Sequence, residues 1–250
     1  RIESRLAPLA RREGDDSIEA MIAALRAQRE ERLIWAVVEA LCRSDTAFFR
    51  GREAFAQLRD EVLPALSHRR SEAPIRLWSA ACATGQEVYS LAIAANEATT
   101  LATGTRFEFF GSDLSERSLE KAQAGIYTQF EVQRGLPIRM LIKYFENQDD
   151  TWAISPRIRQ MVRWKRINLL SDLSVMGRFG VILLRGVLRN MDASLRAKVV
   201  QALVALLPAD GVLALDPEDD VSEFDDVLTA APGGAGVYLR DPSVRVAAAA

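Results

Sequence analysis

The sequence predicts an α/β protein in which a small all-helical segment precedes a parallel sheet covered on both faces, with a small antiparallel β insertion. Three observations carry that expectation. Over residues 1–66 apolar side chains recur at helical spacing. From residue 75 onward short apolar runs alternate with helical patterns, the order that builds a parallel sheet. One stretch, RGLPIRMLIKYFENQDDTWAISPRIRQM, breaks the alternation.

In the helical segment, Ile18, Met21, Ile22 and Leu25 share one helix face, as do Leu33, Ile34, Val37, Val38 and Leu41. Gly14 punctuates the first break, and Asp15, Asp16 and Ser17 are the capping choices for the second helix. A third helix is expected from near Arg52 to between Pro64 and Ser67, and residues 67–74 read as a polar linker. The strands IRLWSAA, RFEFFGSD, VRWKRINLL, FGVILLR, GVLALD and GVYLRD then interleave with the helical runs EVYSLAIAANEA, SERSLEKAQAG and SLRAKVVQALVALL. Residues 75–243 form this second unit. Within it IKYF and TWAI flank the polar turn ENQDD, which predicts a hairpin insertion at about 138–160. The closing SVRVAAAA has the composition of a frayed end, so residues 244–250 are read as a disordered tail.

Composition narrows the chemistry. The chain has one histidine, His68, and two cysteines, Cys42 and Cys82. One imidazole and two separated thiols do not make a zinc site, so no metal is expected. A histidine-dependent nucleophile would have to recruit His68 from the linker. Two distant cysteines are no disulfide framework, and no apolar run is long enough to span a bilayer, which together predict a cytoplasmic protein without membrane insertion. The net charge of −2 conceals a basic run at residues 157–166 and an acidic stretch from residue 211, but neither half of the chain is basic enough to predict nucleic-acid binding.

Two features suggest a ligand site. Between the first strand and its helix lie Ala80, Ala81, Cys82, Ala83, Thr84 and Gly85, small enough either for close packing or for a ligand to approach the backbone. Asp113 ends the second strand, where a carboxylate can accept both hydroxyls of a ribose or cap the following helix. The turn lacks a GxGxxG pattern, which disfavours a dinucleotide.

Several motifs in one order then resemble the CheR chemotaxis receptor methyltransferases, through nearly the whole chain. SDTAFFR (44–50) resembles the family's TAFFR element and RLWSAACATGQEVYSLAI (76–93) its WSAACSTGEEPYS motif. SDLSERSLEKAQAGIY (112–127), GLPIRMLIKYF (135–145), INLL (167–170) and FGVILLRGVL (179–188) follow. The resemblance implies a Rossmann-like class I S-adenosylmethionine-dependent methyltransferase sheet preceded by a receptor-facing helical domain. It implies that Thr46 and Arg50 reach the methionine end of the cofactor and the substrate carboxylate. Ala81 and Glu87 would line the methionine portion, Asp113 would hold the ribose, and Asn168 and Leu169 would contact the adenine. Arg185 stands at the arginine of the family's CRN element. Ser44 and Gly186 occupy cofactor-contacting positions where the family usually has Asn, and Asn190 stands in place of a Tyr near the transferring methyl.

The reaction so implied suits a one-histidine chain, because a glutamate carboxylate is already ionised near neutral pH and needs no base. Arg50 is the side chain expected to orient it, since a guanidinium holds a carboxylate in a two-point fork; a salt bridge to Asp45 is the competing use. Phe48 and Phe49 read as core packing rather than adenine stacking. The expected activity is methyl transfer from S-adenosylmethionine to glutamates on the cytoplasmic signalling domain of chemoreceptors, leaving S-adenosylhomocysteine. The alternative is a weakly catalytic or inactive relative that binds either molecule as a regulatory partner; Arg50, Glu87 and Asp113 favour the first, Gly186 and Asn190 the second. A monomer is expected. Arg1, Arg5, Arg11, Arg12, Arg26 and Arg29 are the basic side chains available to face an acidic receptor. The short ENQDD turn predicts independence from a receptor C-terminal peptide, which the resemblance would otherwise place on the inserted hairpin as an added strand.

Overall fold

The computed structural model describes residues 2–240 apart from residues 29, 43, 71, 72 and 220. The tail at 244–250, the last residues of the second unit (241–243) and the basic candidates Arg1 and Arg29 lie outside the described residues.

Three helices open the chain: α1 (Glu3–Glu13), α2 (Ile18–Gln28) and α3 (Glu31–Leu41). Gly14 ends α1 in the left-handed conformation (φ 84°), and Ser17 accepts the Ala20 amide at 3.0 Å, the capping bond that starts α2. Leu6, Leu9, Ala10, Met21 and Leu33 close a small core among the three. The next helical stretch runs α4 (Arg52–Gln57), one π-turn (Leu58–Val62) and α5 (Leu63–Arg69). It therefore extends past the expected end at Pro64 to Ser67, because Leu63, Leu66 and Ser67 are buried against the sheet unit. His68 sits in its last turn rather than in a linker, exposed, with Nε2 at 3.2 Å from the Thr100 carbonyl.

The second unit alternates β1 (Ile75–Ala80), α6 (Gln86–Glu97), β2 (Phe107–Asp113) and α7 (Glu116–Ala124). A detour follows: β3 (Ile126–Thr128), α8 (Gln129–Gln133), α9 (Ile138–Tyr144), β4 (Phe145–Gln148), β5 (Thr151–Ile154) and α10 (Pro156–Arg159). The main sheet resumes with β6 (Val162–Arg166), β7 (Val181–Leu184), α11 (Ala193–Ala205), β8 (Val212–Leu215), β9 (Thr229–Ala230) and β10 (Val237–Leu239).

Among the described residues the main sheet has seven strands in the order β6-β2-β1-β7-β8-β10-β9. The first five are parallel and β10 is antiparallel to both its neighbours. Leu77, Val181 and Val212 point to one core, with α6, while Trp78, Ile182 and Leu213 point to the other, with α11. Burial on both faces is why these strands read as continuous apolar runs. The chain leaves β1 toward β2 and β6, then crosses back to β7, so the strand order reverses beside β1. Ligands of open α/β sheets bind outside the carboxyl ends of the strands at such a reversal.

The insertion differs from its sequence-based outline. It is a three-stranded antiparallel sheet in the order β3-β5-β4, and its first strand lies before residue 138. The hairpin is formed by FENQ and TWAI, with Asp149 in the left-handed region (φ 55°) at its turn. IKYF is not a strand: residues 142–144 complete α9. Its buried positions, Met140, Leu141 and Tyr144, follow helical spacing and leave Ile138 and Ile142 exposed, a period-3.6 pattern inside what reads as an alternating run.

Candidate active site

At the carboxyl edge of the parallel strands lies a cavity of about 290 Å³, near the lower end of the usual range for small-molecule sites. Five segments, with Glu87 from α6, build it: the loop after α3, the turn after β1, the end of β2, the turn after β6 and the turn after β7.

The turn after β1 is pinned to β2 by the Cys82 amide, which donates to the Ser112 carbonyl at 2.8 Å, and the Ala83 amide, which donates to Asp113 Oδ2 at 2.8 Å. Ala81 (φ 56°) and Ala83 (φ 48°) both take the left-handed conformation, a backbone strain tolerated where surrounding bonds over-determine it. Gly85 (φ 90°) then starts α6, and a Cβ there would lie 2.8 Å from the Ala122 Cβ. The small residues of this turn thus serve both uses open to them, close packing at Gly85 and a bare cavity wall at Ala81.

Asp113 accepts the Ser115 amide on Oδ1 at 2.9 Å as well as Ala83 on Oδ2. The cap of α7 is Ser115, whose hydroxyl accepts the Ser118 amide at 3.0 Å. Asp113 therefore braces the turn before the helix rather than capping it. Burial pushes its carboxyl pKa up, against the amides that favour the anion. Glu87, in the first turn of α6, is buried and accepts Ser79 Oγ at 2.7 Å; burial raises its pKa too, partly offset by the Arg185 guanidinium.

Thr46 and Arg50 are placed by the two phenylalanines between them. Phe48 is fully buried, edge-on to Tyr127 (centroids 5.0 Å) and Phe145 (5.4 Å). The Phe49 amide donates to Ser90 Oγ at 2.9 Å, and Phe49 itself is left-handed (φ 48°). Both are core, as expected, and they anchor the segment to α6 and the insertion. Arg50 lines the cavity and also lies 3.7 Å from Asp45. Arg185 is engaged inside the protein: Nη1 donates to the Arg50 carbonyl and Nη2 lies 3.3 Å from Asp216. Its buried Nε has no acceptor among the described residues. An orphaned donor on a cavity-lining side chain is what a bound polar ligand would satisfy.

Of the sequence-expected site residues, Thr46, Arg50, Ala81, Glu87, Asp113, Asn168, Leu169, Arg185 and Gly186 all line this one cavity. Ser44 does not; it is exposed on the wall of a neighbouring cavity of about 700 Å³, which Thr46 also reaches. The Asn168 side-chain carbonyl accepts the Leu170 amide at 3.0 Å, fixing the turn after β6. Gly186 is left-handed (φ 73°), and a Cβ there would meet nothing closer than Asp216 Oδ2 at 3.8 Å. Backbone conformation rather than space favours glycine there.

Sequence reading missed Cys42, Asp45, Ile167, Leu170, Val187 and Met191 as cavity residues. Most are apolar wall, indistinguishable in sequence from core. Both cysteines border the cavity, and burial together with the Asp113 charge pushes each thiol pKa up, so neither is poised as a thiolate. Among the described residues no group of three or more His, Cys, Asp or Glu side chains forms a metal cluster.

The site therefore brings together two carboxyl groups, Asp113 and Glu87, an apolar wall after β6 and β7, and the Arg50 guanidinium. Residues 44–236 match the family model described as CheR methyltransferase, SAM binding domain. The chain is 30% identical to chemotaxis protein methyltransferase 1 of Pseudomonas aeruginosa over 96% of its own length and 88% of that protein. It is 28% identical to chemotaxis protein methyltransferase Cher2 of Pseudomonas putida over 90% of this chain and 83% of that one. With the chemotaxis protein methyltransferase of Salmonella typhimurium it shares 32% identity over 89% and 76% of the two chains. With that model spanning most of its length, the chain belongs to the CheR methyltransferase family.

Proposed function

We propose that this protein transfers a methyl group from S-adenosylmethionine to glutamate side chains on the cytoplasmic signalling domain of chemoreceptors, giving glutamate methyl esters. The observation that carries this reading is the convergence of Asp113, Glu87 and Arg50 on one cavity without a basic catalyst: His68 lies at the end of α5, and both thiols are held protonated.

The residues present fit that cofactor. Asp113 would accept the ribose hydroxyls, Leu169 and Asn168 would border the adenine, and Ala81 and Glu87 would face the methionine portion. The bound cofactor supplies an electrophilic methyl on a sulfonium. Arg50 orients the acceptor carboxylate, which is ionised at neutral pH and attacks without losing a proton. Positioning of this kind is worth about 7–11 kcal/mol for well-oriented reactants.

In this reading the helical unit, residues 1–66 with α5 running on to Arg69, faces the receptor, and the short stretch after α5 leads into a methyltransferase domain of residues 75–243. Of the basic candidates on the helical unit, Arg5 donates to the Leu41 and Cys42 carbonyls at 3.0 and 3.2 Å, so the receptor-facing charge falls to Arg11, Arg12 and Arg26, all exposed. The protein works as a cytoplasmic monomer without a receptor tail peptide; the two-residue turn between β4 and β5 supports this. Micromolar binding of a receptor tail peptide would refute peptide independence.

Incubation with methyl-labelled S-adenosylmethionine and receptor signalling fragments should give base-labile label on glutamate. Tight cofactor binding with no transfer would favour a regulatory relative instead, as Gly186 and Asn190 would then explain. Arg50→Ala should cut transfer at least about 100-fold while cofactor affinity, read by calorimetry, changes far less. Equal losses in both would make Arg50 a cofactor anchor.

A further inference from the structure

The cofactor cavity adjoins a second, smaller one of about 120 Å³, bounded by Asp45, Arg50, Gly186, Arg189 and Asn190. Three of these residues, Asp45, Arg50 and Gly186, also line the larger cavity, so the small one lies at its mouth. None of the five brings an apolar side chain; two bring guanidinium groups, one an amide and one a carboxylate.

The second guanidinium is held in place. Arg189 Nη2 pairs with Asp216, and Nη1 lies 3.8 Å from Glu218. Asp216, at the end of β8, is 4% exposed and also takes Arg185, whose other nitrogen donates to the Arg50 carbonyl. One buried carboxylate therefore sets both arginines at the mouth, Arg189 directly and the Arg50 backbone through Arg185. Asn190 completes the wall, its Nδ2 donating to the Gly186 carbonyl at 3.1 Å. The Arg189 side chain remains 42% exposed, and a guanidinium offers five donors in a rigid fork, more than these two contacts occupy.

We propose that Arg189 is a second acceptor-binding residue, gripping the glutamate carboxylate jointly with Arg50 in the small cavity. The inference rests on the glutamate-methylating reading. Two cations on one carboxylate discriminate against glutamine, which lacks the charge. They also lose their hold once the carboxylate becomes an uncharged ester, so the same pair that admits the substrate releases the product.

The test is Arg189→Gln in the full chain, with Arg189→Lys as the variant that keeps a cation. Against a receptor signalling fragment, Arg189→Gln should raise the acceptor KM by about tenfold or more, the scale of one lost charge-assisted hydrogen bond. kcat and the affinity for S-adenosylhomocysteine should stay within about threefold, and Arg189→Lys should recover part of the loss. An unchanged acceptor KM, or a loss of S-adenosylhomocysteine affinity as large as the rise in KM, overturns the proposal. A second measurement separates it from the underlying reading: calorimetric titration of N-acetylglutamate α-amide into the protein saturated with S-adenosylhomocysteine. Binding that is saturable and lost in Arg189→Gln sustains the Arg189 assignment even if the wild type methylates no receptor. If the wild type binds no such glutamyl probe and methylates no receptor, both fall; transfer by the wild type with Arg189→Gln unaffected sinks the Arg189 assignment alone.

Discussion

Glu87 is a carboxylate buried in a cavity wall, with Ser79 as its hydrogen-bond donor and Arg185 as its main opposing charge. Its pKa is raised from an ordinary 4.5 chiefly by burial. A carboxyl with a raised folded-state pKa binds more protons folded than unfolded, so stability falls as pH climbs from the ordinary value toward the raised one. Wild-type protein without cofactor should thus lose melting temperature on this group's account as pH rises above the ordinary carboxylate value of about 4.5. Glu87→Gln abolishes that titration. The variant's melting temperature relative to wild type should rise as pH climbs above the ordinary carboxylate range, while its affinity for S-adenosylmethionine falls. Parallel melting curves across that range would show that Glu87 ionises as freely folded as unfolded. A site that costs stability in this way is expected where a cationic ligand supplies the missing compensation.

At the scale of elements, the turn from β1 into α6 carries most of the site and stores most of its constraint. Gly85→Ala puts a side chain into a left-handed residue, costing about 1–2 kcal/mol, and presses a Cβ 2.8 Å from that of Ala122, an overpacking of about 1–3 kcal/mol more. Urea denaturation should register the sum as a lower midpoint at an unchanged slope. An Ala variant as stable as the wild type would mean that α7 yields at Ala122. In the sequence this turn was legible only as a choice between close packing and ligand approach, since small residues between a strand and a helix serve either. Asp113 was legible because strand ends place acids at the sheet's carboxyl edge. The insertion was less so. Residues 138–144 carry apolar groups that satisfy a two-residue alternation locally, and only the burial of Met140, Leu141 and Tyr144 on one side, after Pro137 at the start, shows the helix. The wall residues Val187 and Met191 were hidden because an apolar side chain lining a cavity has the same sequence signature as one filling a core. Arg185 was found by motif, but its bonds to the Arg50 carbonyl and Asp216 join residues far apart in sequence that no local pattern pairs.

For the molecule as a whole, the helical unit and the sheet domain have to hold a fixed relation, because Cys42, Thr46 and Arg50 reach the cavity from the segment that joins α3 to α4. Two contacts from α3 set that relation. Glu39 accepts Ser115 Oγ and the Glu116 amide, both at 2.6 Å, placing its carboxylate at the start of α7 beside Asp113's own turn. Trp35 lies under the Arg166 guanidinium at 3.7 Å, and Arg166 in turn donates to the Leu114 carbonyl at 3.1 Å. A carboxylate at a helix amino end gains from both the free amides and the helix dipole, and a charged hydrogen bond of this kind is worth about 1.5–3 kcal/mol. Glu39→Ala removes it without touching the cavity lining. The sheet domain should keep its melting temperature to within a few degrees, since its core lies among β1, β7, α6 and α11. The joining segment should become more open to protease, and S-adenosylmethionine should bind roughly threefold to tenfold more weakly, the part of the lost bond that had held Thr46 and Arg50 in register. Limited proteolysis mapped to residues 42–51, with calorimetry on the same variant, reads both effects. Weaker binding with the segment still protected would place the loss at the Asp113 turn; unchanged binding with a more open segment would show that Phe48 and Phe49 hold the site lining together without help from α3.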